Sequence, residues 1–341
     1  MKKFIKIQFS GMGGRFNPED NFITRVLKKK YNVKVSDDPD YLFYSVNSKN
    51  YLDYDCIRIF FTAENCIPDF NLCDYAIGFH NIQFEDRYIR YPLYLVDDFN
   101  AYEGDDYRND LERALCKHQM LSEIENKSEF CSFVVSNGDA AECRQKIYEA
   151  LSNYKKVNSG GRYMNNIGSP VIDKLSFQLK HKFVIAFENS SAPGYTTEKI
   201  VQAFSAVAVP IYWGNPKIDK EFQEGSFINC HHYGLTEQGE KSSIKKIVDE
   251  VIRIDSNDNE YRRMIAIPAF TKDNDVNDKK EKFESFLYHI IEQDLNDARR
   301  RNTSLYGTRY ERKQKIGNKF YLMLRKLIPI RDLFRHILQK K

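Results

Sequence analysis

The apolar positions of this chain fall into short runs of strand length, separated by stretches with helical spacing. Residues 3–10 (KFIKIQFS) alternate with period two, and residues 22–30 carry a helical pattern. Further strand-length runs follow at 31–35, 41–46, 57–61, 75–79 and 91–96. Residues 97–129 are charged, with a helical piece near 111–124, and read as a linker or insertion. A second series then opens: a strand at 130–135, a helix at 140–152, a strand at 182–187 and a helix from Glu198. A strand at 207–212, a short one at 227–229 and helices at 244–254 and 278–292 complete it. Short strands alternating with helices predict parallel α/β sheets. Two such series predict two Rossmann-like domains, divided as 1–128 and 129–298, with a tail at 299–341.

The most informative stretch is FENSSAPGYTTEKIVQAFSAVAVPIYWGNP, residues 187–216. It reads as strand, loop, helix, strand, with Thr196 or Thr197 as the expected N-cap. A loop that enters a helix gathers free backbone N–H groups at the positive end of a dipole, which suits a phosphate. Neither a Walker loop nor a GxGxxG fingerprint is present, so this is a different anion cradle.

Composition changes the picture in three places. The 341 residues, 42% hydrophobic and 14% aromatic, suffice for two packed domains, and a net charge of +4 argues against nucleic acid as partner. The charge is uneven: residues 311–341 hold ten basic and two acidic residues, a net of +8 that leaves −4 for the rest. Seven scattered cysteines with no CxxC point to free thiols rather than a zinc site or a disulfide framework. The N-terminus is too interrupted for a signal peptide and no window approaches a membrane span, so the expected location is cytoplasmic.

Three blocks resemble a known family. FENSSAPGYTTEKI…VPIYWGNP resembles the signature of the bacterial α-1,3/1,4-fucosyltransferases, which are inverting and GDP-fucose-dependent. FTAENCIPDFNLCDYAIGF…DRYIRYPLY (61–94) and FCSFVVSN…CRQKIYEALSNYKKVNSGG (130–161) look like its two other blocks, in family order. One departure is Ala63, where the family more often has Gly before the glutamate. The resemblance implies a GT-B fold, two Rossmann-like domains facing a central cleft, here followed by a basic amphipathic tail. It implies Glu64 as general base and Arg144 on the donor diphosphate. It also implies Asn189, Tyr195, Glu198 and Lys199 as donor-binding residues. No cofactor is implied beyond the donor substrate GDP-L-fucose, and the acceptor would be an oligosaccharide or lipid-linked glycan.

Those residue types suit the chemistry. A carboxylate can take the acceptor hydroxyl's proton, and fixed cations can stabilise the charge growing on the leaving diphosphate. Outside the motifs each residue has a plainer reading: Glu64 a solvated loop residue, Arg144 a helix-surface cation, Glu198 a dipole partner. Tyr212 and its neighbours can be core, and Asn65, Asp69 and Asn71 a turn. The competing functions are a GT-B transferase of another nucleotide sugar and a non-catalytic glycan- or nucleotide-binding module. The latter predicts a degraded set, whereas Glu64, Arg144, Glu198 and Lys199 are all present. No bound metal is expected: the Asp-x-Asp triplets at 38–40, 53–55 and 273–275 arise easily in a chain with 29% charged residues, and His231-His232 lacks ligand spacing. In the tail, residues 316–341 predict basic amphipathic helix on either side of Pro329, suited to an anionic membrane surface. The alternative is a helix packed on the protein itself.

Overall fold

The computed structural model of the chain describes residues 2–13, 16–96 and 110–327. Its first sheet holds β1 (Phe4–Ser10), β2 (Asn32–Val35), β3 (Tyr41–Tyr44), β4 (Ile57–Phe61), β5 (Tyr75–Gly78) and β6 (Tyr88–Arg90), in the order β2-β1-β3-β4-β5-β6. The pairs β1–β2, β1–β3, β3–β4 and β4–β5 are parallel. Parallel strands are covered on both faces, which is why β3, β4 and β5 are buried at every position. Helix α1 (Phe22–Lys30) starts at Asn21, whose side chain accepts from the Ile23 and Thr24 amides. It ends on three lysines that suit the negative end of its dipole.

The strand expected at 91–96 is not formed. Pro92 has no N–H to give a ladder, and Leu93–Leu95 instead make a 3₁₀ turn. All three side chains are buried, so the apolar run is core without being strand. The strand lies just upstream, as β6.

The second sheet holds β7 (Glu129–Phe133), β8 (Val157–Ser159), β9 (His181–Phe187), β10 (Val209–Trp213) and β11 (Ile228–Asn229), parallel throughout in the order β11-β10-β9-β7-β8. Around it run α2 (Asp110–Cys116), α3 (Glu142–Ser152), α4 (Lys174–Gln178), α5 (Lys199–Ser205), α6 (Lys241–Asp255) and α7 (Asp258–Ala266), while α8 (Val276–Glu292) belongs to the first unit from Glu284 onward. The core of the second unit joins Phe133, Ile185, Phe187, Ile211 and Trp213 of the sheet to Ile147, Ile247 and Ile265 of the helices. The three-residue β8 and the short α4 were not expected, because neither is long enough to show a period.

The contacts divide the chain differently from the expected boundaries. One unit contains Met1–Gly78, Gln83–Ile89 and Glu284–Lys341, and the other Phe79–Ile82 and Arg90–Phe283. Residues 110–126, expected as a linker, belong to the second unit: the buried Lys117 ammonium donates to the carbonyls of Met264, Ile265 and Ile267 at the end of α7. Beyond α8, the chain continues as α9 (Leu295–Ala298) and α10 (Leu305–Leu327) in the first unit.

Helix α10 starts well before residue 316, and its first half packs on that unit. Glu311 pairs with the buried Arg58 at 2.7 Å, Tyr310 donates to Asp69 at 2.8 Å, and Lys315 reaches Asp53 at 2.9 Å. Its second half exposes Ile316, Phe320, Tyr321 and Met323. The rest of the predicted amphipathic tail, 328–341, lies outside the described residues. Among the described residues no helix is long and apolar enough to cross a membrane.

Candidate active site

In the second unit the loops that follow β7, β8 and β9 open at the carboxyl ends of three parallel strands, the usual ligand position in an open α/β sheet. They line a cavity of about 340 Å³ with Val134, Ser136 and Asn137 after β7, Gly160 and Gly161 after β8, and Asn189 after β9. Arg144, Lys174, Glu198 and Lys199 supply its charged wall. Four of the five expected donor residues therefore meet in one place.

Arg144 projects from α3 and is only 2% exposed. Its guanidinium donates to the Asn189 side-chain oxygen at 2.8 Å and to the Asn137 carbonyl, so Asn189 acts as the bracket that aims it. Burial lowers the Arg144 pKa from its ordinary value, yet a guanidinium remains charged. Lys199 opens α5 and lies 3.0 Å from Glu188 and 3.5 Å from Glu198. Burial works against its ammonium, but the two carboxylates outweigh it and raise its pKa. Burial likewise opposes the Glu198 carboxylate, and Lys199 and Lys174 more than compensate, holding its pKa below the usual range.

Tyr195 is not part of the cavity wall. It is 1% exposed, and its ring stands edge-on to Phe79 at 5.1 Å. The N-cap expectation also changes. Glu198 occupies the cap position of α5 with no side-chain cap bond, while Thr196 and Thr197 turn inward. The Thr197 amide donates to Glu188 at 2.8 Å and its hydroxyl donates to the same carboxylate at 2.7 Å. Glu188 is fully buried, and burial pushes its pKa up against the pull of Lys199. The mouth of the expected phosphate cradle is thus already filled by a protein carboxylate.

A second buried carboxylate, Glu221, holds the other end of the same loop. It accepts from Arg90 at 2.7 Å, Thr196 at 3.0 Å, Asn215 at 2.9 Å and Tyr94 at 2.8 Å. Tyr212 is core, and its hydroxyl accepts from the Asn215 amide at 2.9 Å. Gly194 sits at φ +92°, where a Cβ would come within 2.4 Å of the Phe79 carbonyl, so the loop needs glycine there. Sequence reading missed Glu188, Glu221 and Lys174. Glu188 stood in the quoted FENS block and could have been found there, since a strand-end carboxylate eight residues before the Thr-Thr-Glu-Lys turn is placed to receive its donors.

Glu64 lies in the first unit, in the turn after β4. Its amide donates to the Thr62 hydroxyl at 2.9 Å, its carbonyl accepts from Cys66, and its side chain is exposed. Asp69 and Asn71 shape a turn, with Asp69 accepting from both the amide and the side chain of Asn71. Carboxylates of the Asp-x-Asp triplets have other partners: Asp38 meets Lys6, Asp53 Lys315, Asp55 Arg299, and Asp275 the amides of Asn277 and Asp278. Among the described residues no three His, Cys, Asp or Glu side chains are grouped to hold a metal. All seven cysteines are free.

With this geometry in place, the comparison with known proteins is direct. Residues 124–303, more than half the chain, match the C-terminal part of glycosyltransferase family 10 (fucosyltransferase). The chain belongs to glycosyltransferase family 10. Residues 7–97 of this family-10 chain also match the N-terminal domain of alpha-(1,3)-fucosyltransferase FucT. It is 36% identical over 238 residues to the alpha-(1,3)-fucosyltransferase FucT of Helicobacter pylori, covering 61% of this chain and 49% of that protein. It is 34% identical over 114 residues to alpha-(1,3)-fucosyltransferase 4 of Mus musculus, covering 33% of this chain and 26% of that protein. The chain thus spans about half the length, or less, of these curated relatives. A crystal structure of an α1,3-fucosyltransferase with GDP-fucose superposes with a TM-score of 0.65 at 27% identity, covering 86% of this chain and 92% of that one. The fold of this family-10 chain is accordingly GT-B, built from two α/β units with parallel sheets.

Proposed function

We propose that this chain transfers L-fucose from GDP-β-L-fucose to a hydroxyl of an N-acetylglucosamine- or glucose-containing glycan, forming an α-1,3 (or α-1,4) bond with inversion. The observation that carries the reading is the cavity at the carboxyl ends of β7, β8 and β9, where Arg144, Asn189, Glu198 and Lys199 converge within the region matched to the family. Tyr195 stays in the proposal as the residue that stiffens the loop beside them.

In this mechanism the acceptor oxygen attacks the anomeric carbon as the carbon–oxygen bond to GDP breaks. The electron pair of that bond leaves with the β-phosphate. Glu64 takes the acceptor's proton, a role that fits an exposed carboxylate with no hydrogen bond among the described residues. The cavity's cations stabilise the leaving diphosphate without reorganising, because Arg144 is already aimed by Asn189. No metal enters the reading, since the charge on the diphosphate is met by side chains.

The basic segment at 316–341 supports a further part of the proposal. The exposed Ile316, Phe320 and Met323 lie at helical spacing with Lys319 between them, a pattern suited to peripheral contact with an anionic inner-membrane surface. A lipid-linked glycan, such as an O-antigen precursor, is the acceptor this would serve. The test is a transfer assay with GDP-fucose and a panel of glycan acceptors, with the product read by NMR. An α-fucoside is expected. A β-fucoside would sink the inverting step, and transfer from another nucleotide sugar in preference to GDP-fucose would sink the donor assignment.

A further inference from the structure

The charges around the cavity do not cancel evenly. Lys199 is held between Glu188 and Glu198, so that trio carries one negative charge. Lys199 can still donate a hydrogen bond to a phosphate, but it brings no net positive charge with it. Arg144 is different: its partners are the neutral oxygens of Asn189 and Asn137. Lys174 is different in the same way. It lines the same cavity from the first residue of α4, is 9% exposed, and its hydrogen bond is to the neutral Gln202 side-chain oxygen at 2.5 Å. Among the described residues no carboxylate lies within ion-pair distance of it; Glu198, Asp110 and Glu188 act on it only through space.

A buried ammonium without a counter-charge is unfavourable, and burial accordingly lowers the Lys174 pKa. The buried Lys117 ammonium is satisfied by three backbone carbonyls, whereas Lys174 has one neutral partner and lines a cavity in which an anionic ligand would complete it. The space it faces is the cavity in which Arg144 has the same unmet charge. We infer that Lys174 is a donor-binding residue whose ammonium meets the diphosphate of the nucleotide beside Arg144. This rests on the proposed function, because it takes the cavity as the nucleotide site. Arg144 then grips two oxygens and Lys174 acts as a point charge, so that two cations with only neutral partners face a doubly charged group.

The experiment is calorimetric titration of the full chain with GDP and, separately, with guanosine, for the wild type, Lys174→Met, Lys174→Arg and Arg144→Met. Lys174→Met is expected to weaken GDP about 10- to 100-fold, the usual worth of a hydrogen bond to a charged group, and to leave guanosine unchanged. Lys174→Arg keeps the charge and is expected to retain GDP affinity within about threefold. Lys174→Gln serves the same comparison if the methionine variant does not fold. Wild-type GDP affinity in the neutral variant, with Arg144→Met impaired, overturns the inference alone. Equal loss of GDP and guanosine also overturns it, because Lys174 would then act on the nucleoside or on the fold. A wild-type chain that binds no GDP overturns the proposed function and this inference together.

Discussion

Glu188→Gln is the substitution that best probes the site as built. The carboxylate is fully buried and takes three hydrogen bonds, from the Thr197 amide at 2.8 Å, the Thr197 hydroxyl at 2.7 Å and Lys199 at 3.0 Å. Glutamine keeps the shape but has one acceptor oxygen. If that oxygen stays with the Thr197 amide, the new NH₂ faces the Thr197 hydroxyl and the Lys199 ammonium. The hydroxyl can turn and accept, but the ammonium has only donors. Lys199 keeps the Thr197 oxygen at 2.9 Å and Glu198 at 3.5 Å, so it is not left alone. Breaking a buried pair outright costs about 3–5 kcal/mol, and with that remaining support we expect about 2–3 kcal/mol. For a unit the size of the second one, this is a fall in melting temperature of about 4–12 °C.

Differential scanning calorimetry of the full chain reads it directly. Glu198→Gln is the internal comparison, since that carboxylate is farther from Lys199 and partly exposed. It is expected to cost less than half as much. A Glu188→Gln variant that melts within about 1 °C of wild type, or one less affected than Glu198→Gln, would refute the claim that Glu188 organises the loop.

Three other outcomes can be checked separately. Glu64→Gln is expected to bind GDP-fucose normally and to lose most of kcat, because the base acts on the acceptor proton; near-normal turnover removes Glu64 from the mechanism. His181 is buried, its ring accepts from Asn158 at 3.0 Å and donates to the Phe177 carbonyl at 2.8 Å, and burial lowers its pKa to about 4. The folded form therefore stays neutral while the unfolded form protonates near pH 6.5. Stability present above that pH is lost as pH falls towards 4, by about 3 kcal/mol, and the loss should be smaller in His181→Phe when urea melts are compared across pH. For the tail, vesicle co-sedimentation of the full chain and of a chain ending at Lys319 is expected to show salt-sensitive binding to anionic lipid by the full chain only; equal binding by both defeats the membrane reading.

The sheets were legible because parallel strands are buried on both faces, so β4 (IRIFF) and β9 (HKFVIAF) appear as near-continuous apolar runs. The same logic misled at 91–96, where Leu93–Leu95 are buried in a turn after a proline. Arg144, Asn189, Glu198 and Lys199 were legible through their motifs, and the cavity brings them together. Lys174 was not, because a lysine in a five-residue helix carries no local pattern that separates it from a solvated one. Glu221 was invisible for another reason: what defines it is burial, and burial of a carboxylate follows only from which distant donors the fold delivers. The unit boundaries were illegible too, since α10 returns to the first unit through single pairs such as Arg58–Glu311.

The two buried carboxylates also fix the loop between β9 and α5. Gly194 is held on both sides, its carbonyl by Arg90 at 2.7 Å and its amide by Asn215 at 2.9 Å. Thr196 is tied to Glu221, and Thr197 and Lys199 are tied to Glu188. Buried ion pairs of this kind add little net stability, because desolvation offsets most of their attraction. What they fix is position. A loop whose polar groups are already bonded has few alternatives to lose when a ligand arrives, and its dipoles do not have to reorient as charge develops. Arg144 and Lys174 stand apart from that closed network, each bonded to neutral oxygens within one cavity. The fold thus uses its carboxylates to hold the loop and leaves the charges of Arg144 and Lys174 facing the cavity with neutral hydrogen-bond partners.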